Sequence, residues 1–368
     1  MFNKQTVKDT TVRGQTVLVR VDYNVPMDGG QITDDLRIRA SLPTLELLQK
    51  KGARRIILIS HLGRPKGQKV PELSLKPVAM RLAELISDKK VFFVPDVSGP
   101  DVEEAVNKLP VGGILLLENL RFYPGEEANS SDFAKEIVDA THADIFVQDG
   151  FAVTHRAHAS TDAITRELPS VAGLLLEKEV TTLLEISQSP THPFTVVIGG
   201  AKVEDKQPLI SKFAKIADKI IVGGKIAADG YTSTSDNVYV AEDFLDDQKL
   251  DMGPISLEKT IAKVKKSQTV LWNGLLGAAE NPAYAGASTE LAVALGEKTA
   301  ENPHTFTSVI CGGDTTGFVE NLMKKHNPAN ITTPDSQLQY SLISTGGGAA
   351  LELLSGEPMP GIEALDNR

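Results

Sequence analysis

Cationic side chains recur just beyond successive apolar segments in the first half of the chain, where together they could bind a small anion. A guanidinium group donates paired, charge-assisted hydrogen bonds to a carboxylate or a phosphate. One such residue alone is usually a solvated surface group, but their recurrence at strand ends favours a shared site at the carboxyl edge of a sheet. The candidate residues of this anion site are Arg37, His61, Arg64, Arg121 and Arg156, together with the polar Asp22 and Asn24 after the first strand.

Glycine-rich turns in the second half predict a phosphate site made by the backbone. GGAKVEDK, GGDTTGF and STGGGAALELL each place glycines between a predicted strand and a predicted helix. Such turns direct free N–H groups and a helix dipole toward an anion, although a single Gly-Gly pair usually marks only a turn. Lys202 and Lys206 are four residues apart, which predicts that both lie on one face of a helix's first turns. Asp314 and Thr315 offer a carboxylate for Mg²⁺ and a hydroxyl for phosphate.

Familiar signatures of nucleotide and hydrolase chemistry are absent from the sequence. Gly224-Lys225 is followed by Ile226, so there is no Walker A loop, and neither G-x-G-x-x-G nor G-x-S-x-G occurs. His155 and His158 lack the partners of a metalloprotease motif, so we favour hydrogen bonding to an anion over a metal role. The patterns alone indicate a phosphotransferase and no more than that.

Short runs of valine, isoleucine, leucine and phenylalanine alternate with segments of helical period, which predicts an α/β fold of parallel strands and crossover helices. The predicted strands are 16–22, 55–60, 90–96, 114–120, 144–150, 195–200, 219–224, 237–243, 269–274, 308–313 and 341–348. The predicted helices lie near 35–51, 74–87, 131–140, 205–217, 284–297 and 314–325.

A length of 368 residues predicts about two domains, at roughly 100–200 residues each. Apolar residues recur at helical spacing over 170–187, and chain breakers follow them. We therefore expect a helix at 170–187 that connects two doubly wound parallel-sheet domains, residues 1–169 and 188–355.

The acidic balance, with a formal charge of -10, argues against a general affinity for nucleic acid or anionic membranes. The single cysteine, Cys311, excludes an intramolecular disulfide and fits a reducing compartment. The N-terminal segment lacks the apolar run of a signal peptide, and no apolar stretch is long enough to span a membrane. These features predict a soluble, cytoplasmic protein.

The motifs, taken in order, resemble those of the phosphoglycerate kinase family nearly from end to end. They are RVDYNVP, DDLRIRASLPTL, SHLGRPKG, ENLRFYPGEE, HRAHAST, GGAKVEDK, WNG, GGDT and STGGGAALELLSG. The resemblance implies two Rossmann-like domains joined by a hinge helix, with a tail of about 356–368 that returns to the N-terminal domain. It also implies a glycolytic enzyme, usually monomeric, that transfers a phosphoryl group reversibly between 1,3-bisphosphoglycerate and ADP.

The resemblance also assigns roles to residues at matching positions. Phosphoglycerate would be held by Asp22, Asn24, Arg37, His61, Arg64, Arg121 and Arg156. The nucleotide would be held by Gly200, Ala201, Lys202, Lys206, Gly224, Asn273, Glu280, Gly313, Asp314 and Thr315, with Mg²⁺ on Asp314. The catalytic set would be Arg37, Lys206, Gly347 and Gly348, and the two charged members would stabilise the phosphoryl group in transit.

Two departures from the family pattern concern the nucleotide domain. Trp272 follows Gly224 by 48 positions, which predicts a shortened C-terminal domain. WNGLLGAAE has Leu275 in place of a proline and the small Ala278 and Ala279 where bulkier residues would pack near the base. We expect these changes to weaken base selectivity. A non-catalytic descendant that binds phosphoglycerate or a partner is the alternative, but the full set of charged residues favours an enzyme.

Overall fold

The computed structural model describes residues 2–86, 91–326 and 338–368. Two compact units divide the chain. One runs to Thr181 and includes Pro358–Arg368, and the other runs from Thr182 to Glu357. The division falls within the helix that begins at Leu174.

A parallel sheet forms the centre of the first unit, with six strands among the described residues. In spatial order they are β5 (Val91–Phe93), β6 (Gly113–Leu116), β4 (Arg55–Ile59), β1 (Thr16–Arg20), β7 (Ile145–Gln148) and β8 (Ser170–Ala172). A short antiparallel hairpin of β2 (Met27–Asp28) and β3 (Gln31–Ile32) follows β1. The helices of this part of the chain are α1 (Leu36–Lys50), α2 (Lys76–Leu85), α3 (Pro100–Lys108), α4 (Pro124–Glu127), α5 (Ser131–Thr141) and α6 (Leu174–Gln188).

Alternate residues of these strands point to the same face of the sheet and form one core with α1 and α2. All five residues of β1 are buried, as expected for a central parallel strand with both faces covered. The core on this face includes Val17, Val19, Ile56, Leu58, Ile114, Leu116, Ile145, Val147, Leu45 and Leu82.

The second unit has a separate parallel sheet, also with six strands in the described part of the chain. In spatial order they are β11 (Val238–Val240), β10 (Lys219–Val222), β9 (Phe194–Ile198), β12 (Thr269–Asn273), β13 (Thr307–Cys311) and β14 (Leu342–Ile343). Its helices are α7 (Gln207–Phe213), α8 (Gly224–Ala228), α9 (Pro254–Lys266), α10 (Gly286–Glu301), α11 (Gly313–His326) and α12 (Gly348–Ser355). A further short helix, α13 (Pro360–Glu363), belongs to the first unit.

Both sheets have a switch point, where successive connections leave a central strand in opposite directions. In the first sheet it lies between β1 and β7, and in the second between β9 and β12. Ligands of open α/β sheets bind in the crevice that such a switch point leaves at the carboxyl ends of the strands. The loops that follow these four strands are therefore candidate ligand-binding loops.

The predicted α/β class and the doubly wound parallel sheets are confirmed, whereas several elements differ from the prediction. The predicted helix over 170–187 is a strand, β8, followed by α6, which begins only at Leu174. Apolar residues continue from β8 into α6, so the spacing of apolar residues in the sequence does not show where the strand ends and the helix begins. Helices α3 and α9 were not predicted. The predicted elements at 74–87 and 90–96 extend at Ser87 and Lys90 into positions outside the described residues.

The last residues of the chain pair with the first ones within the first unit. The backbone N–H of Gln5 donates to the carbonyl of Asp366 (2.8 Å), and that of Asp366 donates to Ser170 (2.9 Å). Arg368 donates to the carboxylate of Asp9 (3.0 Å). Among the helices described, none is long and apolar enough to cross a membrane.

Candidate active site

The loop after β1 begins the cationic site of the first unit. The carboxylate of Asp22, which is 4% exposed, accepts a charged hydrogen bond from Arg37 at the start of α1. The side-chain oxygen of Asn24 accepts from the backbone N–H of Gly63 (2.9 Å). Asp22 thus holds an arginine, and Asn24 ties the loop after β1 to the loop after β4.

His61 follows β4 and lies among several arginine side chains. Its Nδ1 atom is 3.2 Å from Nη2 of Arg20, the last residue of β1. Burial lowers the pKa of His61 well below its usual range, and the positive charges of Arg20 and Arg121 lower it further. The charge of Arg37 acts in the same direction. These side chains therefore form one cationic cluster.

Arg121 lies in a short 3-10 turn after β6 and is largely buried. Its Nη1 donates to the carbonyl of Gly63 (2.9 Å), and its Nε is 3.3 Å from a carboxylate oxygen of Glu127. Burial lowers the pKa of Arg121 and the carboxylates of Glu127 and Glu126 oppose that shift. The charges of Arg156 and Arg64 make smaller contributions that lower it further. The exposed Arg64 and Arg156 thus lie close enough to Arg121 to belong to the cluster, so every predicted cation of this half converges.

A buried carboxylate supports this cluster, and the sequence patterns did not reveal it. Glu126, fully buried in α4, accepts from the backbone N–H (3.0 Å) and the hydroxyl (2.6 Å) of Ser160. Nδ1 of His158 is 3.8 Å from the same carboxylate. Burial lowers the pKa of His158 to about 4, with further contributions from nearby arginines. The signal that could have revealed the buried network is Arg20, a charged residue inside the apolar run TVLVRV.

A cavity of about 470 Å³ lies at the switch point of the second sheet. The predicted residues that line it are Gly200, Ala201, Lys202, Lys206, Glu280, Gly313, Asp314, Thr315, Gly347 and Gly348. It is also lined by Asp205, Lys225, Gly274, Leu275, Gly277, Ala278, Gly312 and Leu351. The cavity therefore combines glycine backbone, lysines, carboxylates and a small aliphatic wall.

Backbone packs directly on backbone next to this cavity. A Cβ atom on Gly274 would lie 2.2 Å from the carbonyl oxygen of Gly199, and one on Gly224 would lie 2.7 Å from that of Leu275. Gly274 and Gly224 also have positive φ angles, of +96° and +63°. Glycine is required at both positions for space and for conformation. Predicted Gly224 thus lies behind the cavity and is not part of its lining.

The two lysines of GGAKVEDK differ from the predicted arrangement. The helix α7 begins at Gln207, so Lys202 lies in the preceding loop and not on a helical face beside Lys206. The ammonium group of Lys206 donates to the side-chain oxygen of Asn273, and burial lowers its pKa. Asn273 is buried behind the cavity and orients the lysine, while the exposed Lys202 lines the cavity from the loop.

The start of α11 supplies a hydroxyl and a carboxylate. Thr315 is buried and accepts from the backbone N–H of Gly274 (2.8 Å), which fixes the turn after β12. Asp314 is exposed in the first turn of the helix and lines the cavity. Among the described residues no group of three or more histidine, cysteine or acidic side chains could hold a metal ion. A single carboxylate fits Mg²⁺, which is commonly held by one or two carboxylates together with substrate phosphates.

The glycine triplet precedes a third helix at the same edge. Gly347 has a φ angle of +52°, and α12 begins at Gly348. The N-termini of α11 and α12 both border the cavity, so free N–H groups and two helix dipoles favour an anion there.

The fold and the two sites are those expected of a phosphotransferase, with a cluster of cationic side chains on one doubly wound unit and a cavity lined by glycines and lysines on the other. The family profile of phosphoglycerate kinase matches residues 7–232 and 228–357. The chain therefore belongs to the phosphoglycerate kinase family. Its function is the reversible transfer of a phosphoryl group between 1,3-bisphosphoglycerate and ADP.

Two solved structures show the same similarity. The phosphoglycerate kinase of Pyrococcus horikoshii OT3 matches with 26% identity and a TM-score of 0.82, and that of Coxiella burnetii with 29% and 0.74. Each match covers 98% of this chain and 98% of the other. Nearly the full length of each relative is therefore matched, so the C-terminal domain expected to be shortened after Gly224 is not markedly shorter than in these two proteins.

Proposed function

We propose that the cationic cluster of the first unit binds phosphoglycerate, with Arg37, Arg121 and His61 as its inner donors. The exposed Arg64 and Arg156 would contact the outer end of the ligand. Support comes from the convergence of guanidinium groups around His61 and from the chemistry of the ligand, whose carboxylate and phosphate suit paired donors.

The cavity of the second unit would bind the nucleotide. Lys206, Lys202 and the N-termini of α11 and α12 would neutralise its phosphates, and Glu280 would contact the ribose. Asp314 would hold Mg²⁺, which supplies charge neutralisation at the phosphates. The observation that carries this assignment is the cavity itself, which has two helix N-termini and the half-buried, oriented Lys206 on its lining.

Phosphoryl transfer would need little covalent work from these residues. Arg37 and Lys206 would stabilise the charge on the phosphoryl group in transit, and Gly347 and Gly348 would offer backbone N–H donors to it. Asp22 and Asn273 would act indirectly, because each holds one of the two cations in place. We also propose, from family membership and the acidic composition, a glycolytic role in the cytoplasm as a monomer, without nucleic-acid or membrane partners.

One coupled assay tests the activity. The full chain, supplied with Mg²⁺, 3-phosphoglycerate and ATP, is expected to form ADP at a rate that falls when either substrate or Mg²⁺ is omitted. Calorimetric binding of phosphoglycerate without turnover would favour the non-catalytic alternative. Turnover of ATP that is independent of phosphoglycerate would contradict the proposed acceptor.

Base selectivity is expected to be poor, because Gly277 and Ala278 offer little side-chain area to a purine. If the pocket wall contacts the purine over about 60–100 Å² less apolar area, nucleotide binding is weakened by roughly 1.5–2.5 kcal/mol, at about 25 cal/mol per Å². That corresponds to about ten- to seventy-fold in Kd. Titration with ATP, GTP and tripolyphosphate measures the contribution of the base. ATP binding far tighter than GTP would contradict the prediction and leave the kinase activity intact.

A further inference from the structure

Arg20 is a charged side chain at the end of β1, directly after the apolar residues Val17, Leu18 and Val19, and it is fully buried. Its Nε donates to the hydroxyl oxygen of Ser160 (2.8 Å), and its Nη1 donates to the carbonyl of Val21. Its Nη2 lies 3.2 Å from Nδ1 of His61. Each of the three guanidinium nitrogens therefore has a partner within the protein, and the complete burial of the side chain leaves it poorly placed to contact a substrate.

The contact with His61 determines where the imidazole proton lies. A guanidinium group has donors only and stays protonated in proteins. A nitrogen that faces one must therefore accept, so Nδ1 of His61 carries a lone pair. The neutral ring then has its proton on Nε2, and an imidazolium, which donates from both nitrogens, would lose this hydrogen bond.

The surroundings of His61 oppose protonation of its ring. Burial and the charges of Arg20 on β1, Arg121 after β6 and Arg37 on α1 lower the pKa of His61, and His158 after β7 acts in the same direction. Arg20 itself is held by the buried carboxylate behind it. The hydroxyl of Ser160 accepts from Arg20 and donates to Glu126, so the three groups form a chain that fixes the guanidinium.

Within residues 2–86, 91–326 and 338–368, the ring of His61 makes its hydrogen bond through Nδ1 and none through Nε2, so the Nε2 proton is available to a ligand. We propose that Arg20 is a positioning residue that holds His61 as the neutral Nε2–H tautomer, so that the ring donates a hydrogen bond to phosphoglycerate. The identity of this ligand rests on the proposed function, but the tautomer does not. A neutral donor of this kind keeps its contribution to binding constant across the pH range in which histidines ordinarily titrate.

Nitrogen NMR of the ligand-free full chain, with labelled histidine and His61→Gln to assign the signal, tests the tautomer directly. From pH 6 to 8, Nδ1 is expected to give the signal of an unprotonated ring nitrogen and Nε2 that of a protonated one. A proton on Nδ1, or an imidazolium that titrates near pH 6.5, would overturn the proposal.

Variants of Arg20 separate positioning from structural support. Arg20→Met removes the donor that faces Nδ1, so the proton of His61 should become shared between Nδ1 and Nε2, and both nitrogen signals should move toward the average of the two tautomers. Arg20→Lys keeps a cationic donor and should keep the Nε2–H tautomer. Arg13→Met, which changes an exposed arginine, is the control and should behave as the wild type. If Arg20→Met does not fold, the tautomer of His61 is still tested by the nitrogen spectra of the wild type and of Arg20→Lys.

The Kd of 3-phosphoglycerate is then measured against pH for each folded variant, as a ratio to the wild type, which cancels titration of the ligand's own phosphate. The ratio should exceed one in Arg20→Met, because part of the His61 population would carry its proton on Nδ1 and offer no donor from Nε2, and it should stay near one in Arg20→Lys. A ratio of one in Arg20→Met would overturn the positioning role. If the wild type shows the Nε2–H tautomer but binds no phosphoglycerate, the proposed ligand is wrong and the role of Arg20 stands.

Discussion

The two candidate sites of this protein are built from different chemical groups. In the first unit, side chains are held by other side chains: Asp22 holds Arg37, and Glu126 holds Arg20 through Ser160. In the second unit, backbone groups and helix termini surround the cavity, and glycine packs on backbone next to it. A side-chain site depends on ionisation and buried partners, whereas a backbone site depends on conformations that only glycine supplies. The two should therefore fail under different perturbations.

The largest expected effect is on turnover. Arg37→Ala and Lys206→Ala should each lower kcat by at least ~100-fold with the fold intact, the scale of losing one preorganised charge donor. Arg39→Ala and Lys215→Ala are matched controls, because Arg39 pairs with Asp35 and Lys215 is exposed. Steady-state kinetics at saturating substrates measures the change. Near-normal turnover in either active-site variant would remove that residue from the mechanism.

The backbone site should break on the addition of one methyl group. Gly274→Ala would place a Cβ atom 2.2 Å from Gly199 at a φ angle of +96°, while Gly230→Ala has a similar φ of +88° and nothing within 4 Å. Both substitutions carry the strain of positive φ, of order 1–3 kcal/mol. Gly274→Ala should destabilise the protein by about 2 kcal/mol more than its control, because of the clash. Equal midpoints in urea would show that the close approach is unimportant.

A smaller effect should distinguish the side-chain unit by its response to pH. Asp149, which follows β7, is buried against the start of α6, where one of its carboxylate oxygens accepts from Thr44 (2.9 Å) and from the N–H of Leu175 (3.0 Å). Burial raises its pKa to about 7. The folded state thus binds a proton that the unfolded state releases near pH 4, so this contribution to stability is full below pH 4 and lost by about pH 7. Asp149→Asn should remove that fall, seen by comparing urea unfolding of both proteins from pH 4 to 8.

An equal slope in the wild type and in Asp149→Asn would show that the buried carboxyl does not govern this pH range. Glu136→Gln, an exposed acid on α5, is a suitable control and should leave the slope unchanged.

Much of this comparison could be predicted from sequence, and the reasons for the remainder are physical. Runs such as TVLVR and FTVVI predict buried parallel strands, and the polar residues that follow them mark the sheet edges. The pattern could not separate β8 from α6, since both are apolar and contiguous. Nor could spacing reveal that Lys202 lies outside α7, because the loop after Gly200 delays the helix to Gln207. The contacts of Arg20 and Glu126 depend on tertiary structure, which no local period encodes.

The central claim is that phosphoglycerate binds to the first unit and the nucleotide to the second. Calorimetric titration of the full chain, as wild type, Arg37→Ala and Lys206→Ala, with 3-phosphoglycerate and with Mg-ATP tests it most directly. Loss of one charged hydrogen bond costs about 1.5–3 kcal/mol, so each variant should weaken binding of its own ligand by about ten-fold or more. Arg37→Ala should leave ATP binding unchanged, and Lys206→Ala should leave phosphoglycerate binding unchanged. Weaker binding of both ligands in either variant would contradict the assignment of one ligand to each unit. So would weaker ATP binding in Arg37→Ala or weaker phosphoglycerate binding in Lys206→Ala.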